Sequence, residues 1–404
     1  MTEATDLTFA ARRSGDVRLV AAVSAAHFVS HFYMLVLPPL FDFVRADYGL
    51  SYTEVGLALT VFMAVSAVLQ TPAGFLVDRF NARHILIAGL LCGAAGLVLA
   101  ASFHSYWMLV AMFGLMGLGN TVYHPANYAL LSRHVAPGRI SQAFSVHTFS
   151  GLLGGAVAPA SLLFLHGLLG WRGAFVGAAL LGCTAAMALL TLNEATMPVA
   201  AKPAGSGAAP ETGWRLLLTP PILISFVFFG LMAFCSFGFM NFAVVALGAL
   251  HGTDATTANA ALTGYLLLSA FGVLAGGFVS ARVPNHRLTA TLALLATAFT
   301  AAAIGSLPMG SIALVATSSL AGLFFGAMLP ARDMILREVT PEGAFGKVFG
   351  FVTNGFNIGG ILAPLIYGGL MDHGAPRMVF YVIALSALVC IASIAAVPRT
   401  RPGA

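Results

Sequence analysis

Stretches of about twenty mostly apolar residues recur along this chain from residue 17 to residue 397. A helix rises about 1.5 Å per residue, so each stretch can cross a hydrocarbon layer about 30 Å thick. The stretches fall at 17–42, 52–77, 84–103, 106–131, 141–166, 172–193, 218–249, 257–281, 287–307, 311–336, 346–371 and 377–397. This spacing predicts an all-α membrane protein with twelve transmembrane helices. Composition agrees: 59% of the 404 residues are hydrophobic and 8% are charged, against about 25% charged in a soluble domain.

The first sixteen residues are polar and lack an apolar core followed by a small-residue cleavage site, so the first span is expected to be retained. Basic residues set the expected orientation, because Lys and Arg of short loops stay on the cytoplasmic side. With the N-terminus inside, Arg18, Arg79, Arg83, Arg133, Arg139, Lys202, Arg215, Arg282, Arg332, Arg337 and Lys347 fall at or near cytoplasmic ends, while Arg45, Arg172 and Arg377 fall outside. A multi-pass protein of a bacterial-type cytoplasmic (inner) membrane, with both termini cytoplasmic, is expected. The net charge of +5 is spread over many loops and forms no continuous patch, so nucleic acid is not an expected partner. Cys92, Cys183, Cys235 and Cys390 stand singly in apolar spans, without the clustering of a metal site, and no cofactor is expected.

Residues 194–216, rich in Ala, Pro and Gly, interrupt the apolar pattern and leave six spans on either side. The expected domains are an N-terminal six-helix half (1–193), a cytoplasmic linker (194–216) and a C-terminal six-helix half (217–404). An internal repeat supports this division. HPANYALLSR around Pro125 aligns with LPARDMILRE around Pro330, and GGAVAP ending at Pro159 aligns at the same separation with GGILAP ending at Pro364. An even number of spans separates the matched segments, so the halves share one orientation as a parallel repeat, an arrangement that usually holds a solute between the halves near the bilayer midplane.

GFLVDRFNARH, in the loop after the second span, carries Gly74, Asp78, Arg79 and Arg83, and a carboxylate flanked by two arginines can form a charge network at a helix end. The segment resembles the signature loop of the major facilitator superfamily, with Asn81 and Ala82 replacing a Gly and one basic residue; Asn tolerates a left-handed backbone, so the turn is expected to survive. The resemblance implies a cytoplasmic latch in which Asp78 faces the start of the eleventh helix near Gly346 and Lys347. GLLGGAVAP in the fifth span (Gly151, Gly154, Gly155, Pro159) resembles the glycine–proline motif of proton-linked exporters, with Ala158 before the proline; NIGGILAP in the eleventh carries Gly360 and Pro364. Small residues admit close helix approach and proline can kink a helix. AHFVSHFYMLVLPPLF and GLGNTVYHPANY resemble the fosmidomycin-resistance-type branch at His27, Gly117, Gly119, His124 and Pro125, but His31 and Ala126 stand where that branch has acids.

Ionisable side chains at bilayer depth usually face a partner or a wet cavity. His27 and His31 lie four apart on one helical face near the midplane, and imidazole titrates close to neutral pH, which suits a proton carrier or a donor to an anion. His124 and His147 fall in the cytoplasmic third of their spans, as do Arg332 and Asp333. Arg332 is expected either to bind an anion by a forked pair of hydrogen bonds or to pair with Asp333 or Glu338 in an inner gate. Tyr33, Asn241 and Asn357 complete the candidate solute and proton pathway; asparagines also serve as glue between helices.

These residues point to a secondary active transporter that moves a small organic solute, anionic or drug-like, by alternating access, with protons as the coupling ion. PEGAFGKV, starting at Pro341, lacks the first glycine and the hydroxyl of an ATP-binding loop. Export of toxic compounds and uptake of organic anions remain competing readings within transport. A sensor or channel of the same fold is the alternative, and no enzymatic activity is expected. The partners expected are the solute, protons and membrane lipid, for a monomer.

Overall fold

The structure, a computed structural model, describes residues 2–135, 139–192, 214–283, 285–341 and 345–396; side chains are described from Val17 onward, those of residues 71, 75, 78, 140–142, 214, 281, 345–347 and 349 excepted. No strand occurs among these residues. Hydrocarbon offers no water to a free N–H or C=O, so a spanning segment bonds its backbone within a helix. The helices are α1 (Thr2–Met34), α2 (Phe41–Tyr48), α3 (Tyr52–Arg79), α4 (Ala82–Ser102), α5 (Tyr106–Asn120), α6 (Tyr123–His134), α7 (Ile140–Leu190), α8 (Pro220–His251), α9 (Ala255–Arg282), α10 (His286–Ser306), α11 (Ser311–Glu338), α12 (Phe345–Asp372) and α13 (Pro376–Ala396). The linker expected at 194–216 lies outside the described residues, apart from a short turn at Trp214–Leu216.

Among the described residues, nine helical runs are long and apolar enough to cross a membrane. The twelve expected spans are thus not found as twelve unbroken helices, for local reasons. Ala143–Leu190 is a run of 48 residues, about 72 Å at the helical rise, which is two membrane crossings. It turns at Gly170, whose φ of 71° and ψ of 174° form a backbone that side chains disfavour. The expected fourth span is divided between α5 and α6 at Thr121–Val122. Pro125 lacks the N–H that would bond to the Thr121 carbonyl, and its ring collides with that carbonyl in a continuous helix.

The chain clusters into two compact units: Met1–Val36 with Ala64–Ala204, and Leu37–Met63 with Gly205–Ala404. In the first, α7 packs along α1 and α4. Gly154 lies so close to the Phe28 carbonyl that a Cβ would collide with it, and Ser150 Oγ donates to the Ser24 carbonyl at 2.8 Å one turn away. In the second unit α12 packs along α8 in the same manner, with Gly359 against the Gly230 carbonyl. Gly154 and Gly359 are the matching glycines of the GGAVAP and GGILAP repeat.

The start of α3 belongs to the second unit and is held by the end of α12. Asp372 accepts from Tyr52 N at 2.5 Å, Thr53 N at 2.9 Å and Thr53 Oγ1 at 2.5 Å, placing a carboxylate on the exposed N–H groups and positive dipole end of α3. Ser51 and Glu54 cap the same turn reciprocally, Ser51 N donating to Glu54 Oε2 at 2.8 Å and Glu54 N to Ser51 Oγ at 3.2 Å. Two turns on, Thr60 Oγ1 donates to the Ile361 carbonyl at 3.2 Å.

A methyl group at either backbone contact must push two helices apart. Gly154→Ala and Gly359→Ala are each expected to cost about 1–3 kcal/mol and to lower the thermal unfolding midpoint of the detergent-solubilised protein by a few degrees. Gly369→Ala, where a Cβ meets nothing within 4 Å, is expected to leave the midpoint unchanged.

Candidate functional site

Three helices of the first unit bring four imidazoles together. His27 and His31 lie on one face of α1, with ring centroids 4.7 Å apart. His124, in the first turn of α6, lies 5.4 Å from His27. His147, on α7, stacks on His27 at 3.9 Å with the rings within 12° of parallel. Tyr128 borders the group, 5.9 Å from His147 and 6.4 Å from His124.

One hydrogen bond orients the centre of this cluster. His27 Nδ1 lies 2.8 Å from the His147 carbonyl, and a carbonyl only accepts, so Nδ1 carries a proton. In the neutral ring, Nε2 is then the free lone pair. His27 is 5% and His147 0% exposed, and His27 Nε2 and both His147 ring nitrogens have no hydrogen-bond partner. Gly151 makes room for the arrangement: a Cβ there would stand 2.5 Å from His27 Cε1, 2.7 Å from His27 Nδ1 and 3.0 Å from His31 Cδ2. The glycine motif of the fifth span therefore admits the α1 backbone at Gly154 and the imidazoles at Gly151.

Tyr33 lies outside the cluster. Its ring is buried against Gly93 of α4. Asn127 of α6 is fully buried, and neither its amide nitrogen nor its amide oxygen has a partner.

In the second unit Arg332 is already engaged. Its Nε and Nη2 both donate to Asp333 Oδ1, at 2.9 and 2.8 Å. Its guanidinium carbon stands 4.6 Å from the Phe229 ring centroid, and Nη1 reaches Met232 Sδ at 3.4 Å. Of the two expected partners the neighbour Asp333 takes the arginine, while Glu338 lies 3.9 Å from Arg287. Asn241 is buried in α8 and Asn357 half-buried in α12.

At the signature loop, Asn81 has an extended backbone (φ −65°, ψ 116°) and caps α4, its side chain accepting from His84 N at 3.1 Å. The left-handed turn expected at Asn81 is not formed, because capping satisfies the first turn of α4 from an extended residue. Arg83 Nη1 donates to the Leu192 carbonyl, tying the start of α4 to the end of α7. Arg79 lies over the Phe80 ring at 5.7 Å, and Gly74 has open space where a Cβ would stand. The Asp78 and Lys347 side chains, on which the expected latch depends, lie outside the described residues.

Three partners carry no mark of that role in the sequence. His147 appears there only as a polar residue in an apolar span, with nothing to mark it as the stacking partner of His27. Phe229 and Met232, the walls around Arg332, look like ordinary lipid or core residues.

With this geometry in view, the comparisons with known proteins are consistent. The family model described as Major Facilitator Superfamily matches residues 23–250 and 229–404. The chain is similar to a probable nitrate/nitrite transporter, NarK2, of Mycobacterium tuberculosis, with 27% identity over 89% of this chain and 90% of the relative. It is similar to the fosmidomycin resistance protein of Escherichia coli, with 23% identity over 92% and 90%. A solved bacterial homologue of the human lysosomal transporter Spinster, in an inward-facing and occupied conformation, shares the fold with a TM-score of 0.79 at 15% identity, over 95% of this chain and 98% of that one.

Because Arg332 is 14% and Asp333 45% exposed, removal of the acid strands a mostly buried cation, whereas an apolar replacement of the arginine suits Phe229 and Met232. Asp333→Ala is expected to lower stability by about 1 kcal/mol, discounted for the exposure of the carboxylate, and Arg332→Met by less; thermal unfolding of the two purified variants checks the order.

Proposed function

The chain belongs to the Major Facilitator Superfamily, a multi-pass membrane transporter family, and from that premise we propose that it moves a small organic solute by alternating access, coupled to protons. The observation that carries this reading is the imidazole cluster of His27, His31, His124 and His147, four rings able to take up and release a proton, gathered on three helices. A transporter coupled to protons needs a group that gains and loses one at membrane depth. The rings supply several such groups within contact of one another, and the His147 carbonyl holds one of them in a fixed orientation.

An anionic solute suits a site built from hydrogen-bond donors, and the named substrates of one similar protein, nitrate and nitrite, are anions. In this reading Arg332, held by Asp333 and stacked on Phe229, is an inner-gate residue rather than the anion's first contact. Asn241 and Asn357 offer neutral hydrogen bonds along the route, and the Tyr33 ring packs α1 against α4 at Gly93. The protein sits in a cytoplasmic-type membrane with both termini inside and works as a monomer, its Asp78 loop serving as the cytoplasmic latch.

Proton flux in proteoliposomes containing a pH-sensitive dye tests the proposal, with a panel of organic anions, phosphonates and hydrophobic drugs as solutes. Solute-dependent proton movement is expected for at least one anion, reduced more than tenfold in His31→Ala. Saturable solute flux with no accompanying proton movement overturns the coupling, and flux that neither saturates nor shows counterflow overturns the carrier mechanism.

A further inference from the structure

Between Glu54 and Glu194 the sequence carries one acidic residue, Asp78. It lies in the last turn of α3, not on the helices that build the imidazole cluster. The acids at the start of α1 end with Asp16, about 16 Å before His27 along the helix axis. From Val17 onward the ionisable side chains of α1, and all those of α4, α6 and α7, the helices packed against it, are Arg, His, Tyr and Cys. Tyr128 is the phenol that faces two of the rings. Among the described residues, these helices thus bring no carboxylate to the four histidines.

An imidazolium in a low-dielectric interior needs a counter-charge. Its neighbours here are other imidazoles, and a second proton on rings stacked at 3.9 Å would repel the first. Three buried ring nitrogens nevertheless have no partner: His27 Nε2, and Nδ1 and Nε2 of His147. They are the places where a proton can bind and where an acceptor oxygen can be met. Among the described residues, no set of three or more His, Cys, Asp or Glu side chains is arranged to hold a metal ion.

We infer that the cluster binds one small monovalent oxyanion together with one proton, the solute supplying the negative charge that the described side chains of α1, α4, α6 and α7 lack. The inference rests on the transport reading above and narrows it. The proton goes to a ring nitrogen and the anion accepts hydrogen bonds from the resulting imidazolium. No covalent bond to the solute forms or breaks, and the complex adds no net charge to the unit. Proton and solute are coupled because neither is well held without the other, and neutral or cationic solutes are rejected because they leave the proton unpaired.

Titration calorimetry of the full chain in a nonionic detergent tests this at equilibrium, without requiring transport. The probes are nitrate, formate and methanesulfonate, with acetamide as the neutral control; repeating the titrations in buffers of different ionisation heat counts the protons. At least one anion is expected to bind at millimolar concentration with uptake of about one proton near pH 7.5, its affinity falling about tenfold per pH unit above that. Acetamide is expected not to bind. His31→Asp places a carboxylate inside the cluster, and is expected to abolish anion-linked proton uptake and weaken the anion at least tenfold. His147→Gln, which removes a stacked ring, is expected to lose the same proton uptake; retained thermal unfolding shows that each variant is folded. Anion binding without proton uptake, no binding of any of the three anions to folded protein, or unchanged behaviour in His31→Asp overturns the inference. Proton-coupled transport of a neutral solute in the liposome assay overturns it too, while leaving the transport reading intact.

Discussion

The contact on which each unit depends is a glycine lying directly against the backbone carbonyl of a neighbouring helix. Lipid tails are as apolar as leucine, so helices in a membrane gain little from hiding apolar surface against each other and are held by close packing and hydrogen bonds instead. Gly154 on the Phe28 carbonyl draws α7 against α1, and Gly359 on the Gly230 carbonyl draws α12 against α8. The imidazole cluster follows from the first of these contacts. Once α1 lies that close, the His27 ring rests where a side chain at Gly151 would stand, and its Nδ1 reaches the His147 carbonyl.

The two repeats use this shared framework for different chemistry. HPANY and LPARD align so that Asn127 matches Arg332, each two residues after a proline. In the first unit Pro125 divides the span into α5 and α6 and sets His124 in the first turn after the break. In the second, Pro330 stays within the continuous α11, and Arg332 lies against Phe229 and Met232 of α8. Asn127 is buried with its amide unpartnered, whereas Arg332 brings its own acid as its chain neighbour. Among the described residues, one unit therefore offers imidazoles with no carboxylate beside them and the other a cation already paired with an acid.

Close approach also explains the strong anchoring of the start of α3. Asp372, Ser51 and Glu54 satisfy N–H groups at the first turn, and the Ile361 carbonyl accepts from Thr60 further along. A helix end in or near lipid leaves N–H groups that water is scarce to bond, so their partners must come from the protein. The capping pair Ser51 and Glu54 is a local pattern, readable three residues apart. The third member, Asp372, comes from a distant part of the chain, and only the packing of α12 against α3 reveals it.

The membrane fold and the family were legible in the sequence because each rests on a local pattern. Apolar length sets where a span can lie, positive charge sets its expected direction, and GGAVAP with GGILAP marks equivalent positions in two copies. The close spacing of His27 and His31 was legible for the same reason, since four residues return a helix to one face. What only tertiary structure decided was which groups meet across helices: that His147 stacks on His27, that Gly151 is the floor beneath both α1 histidines, and that Arg332 takes Asp333 while Glu338 approaches Arg287. A helix's span follows from its own residues, but its rotation about its axis and its distance from a neighbour are set by the neighbour's side chains. Chemistry between helices depends on both.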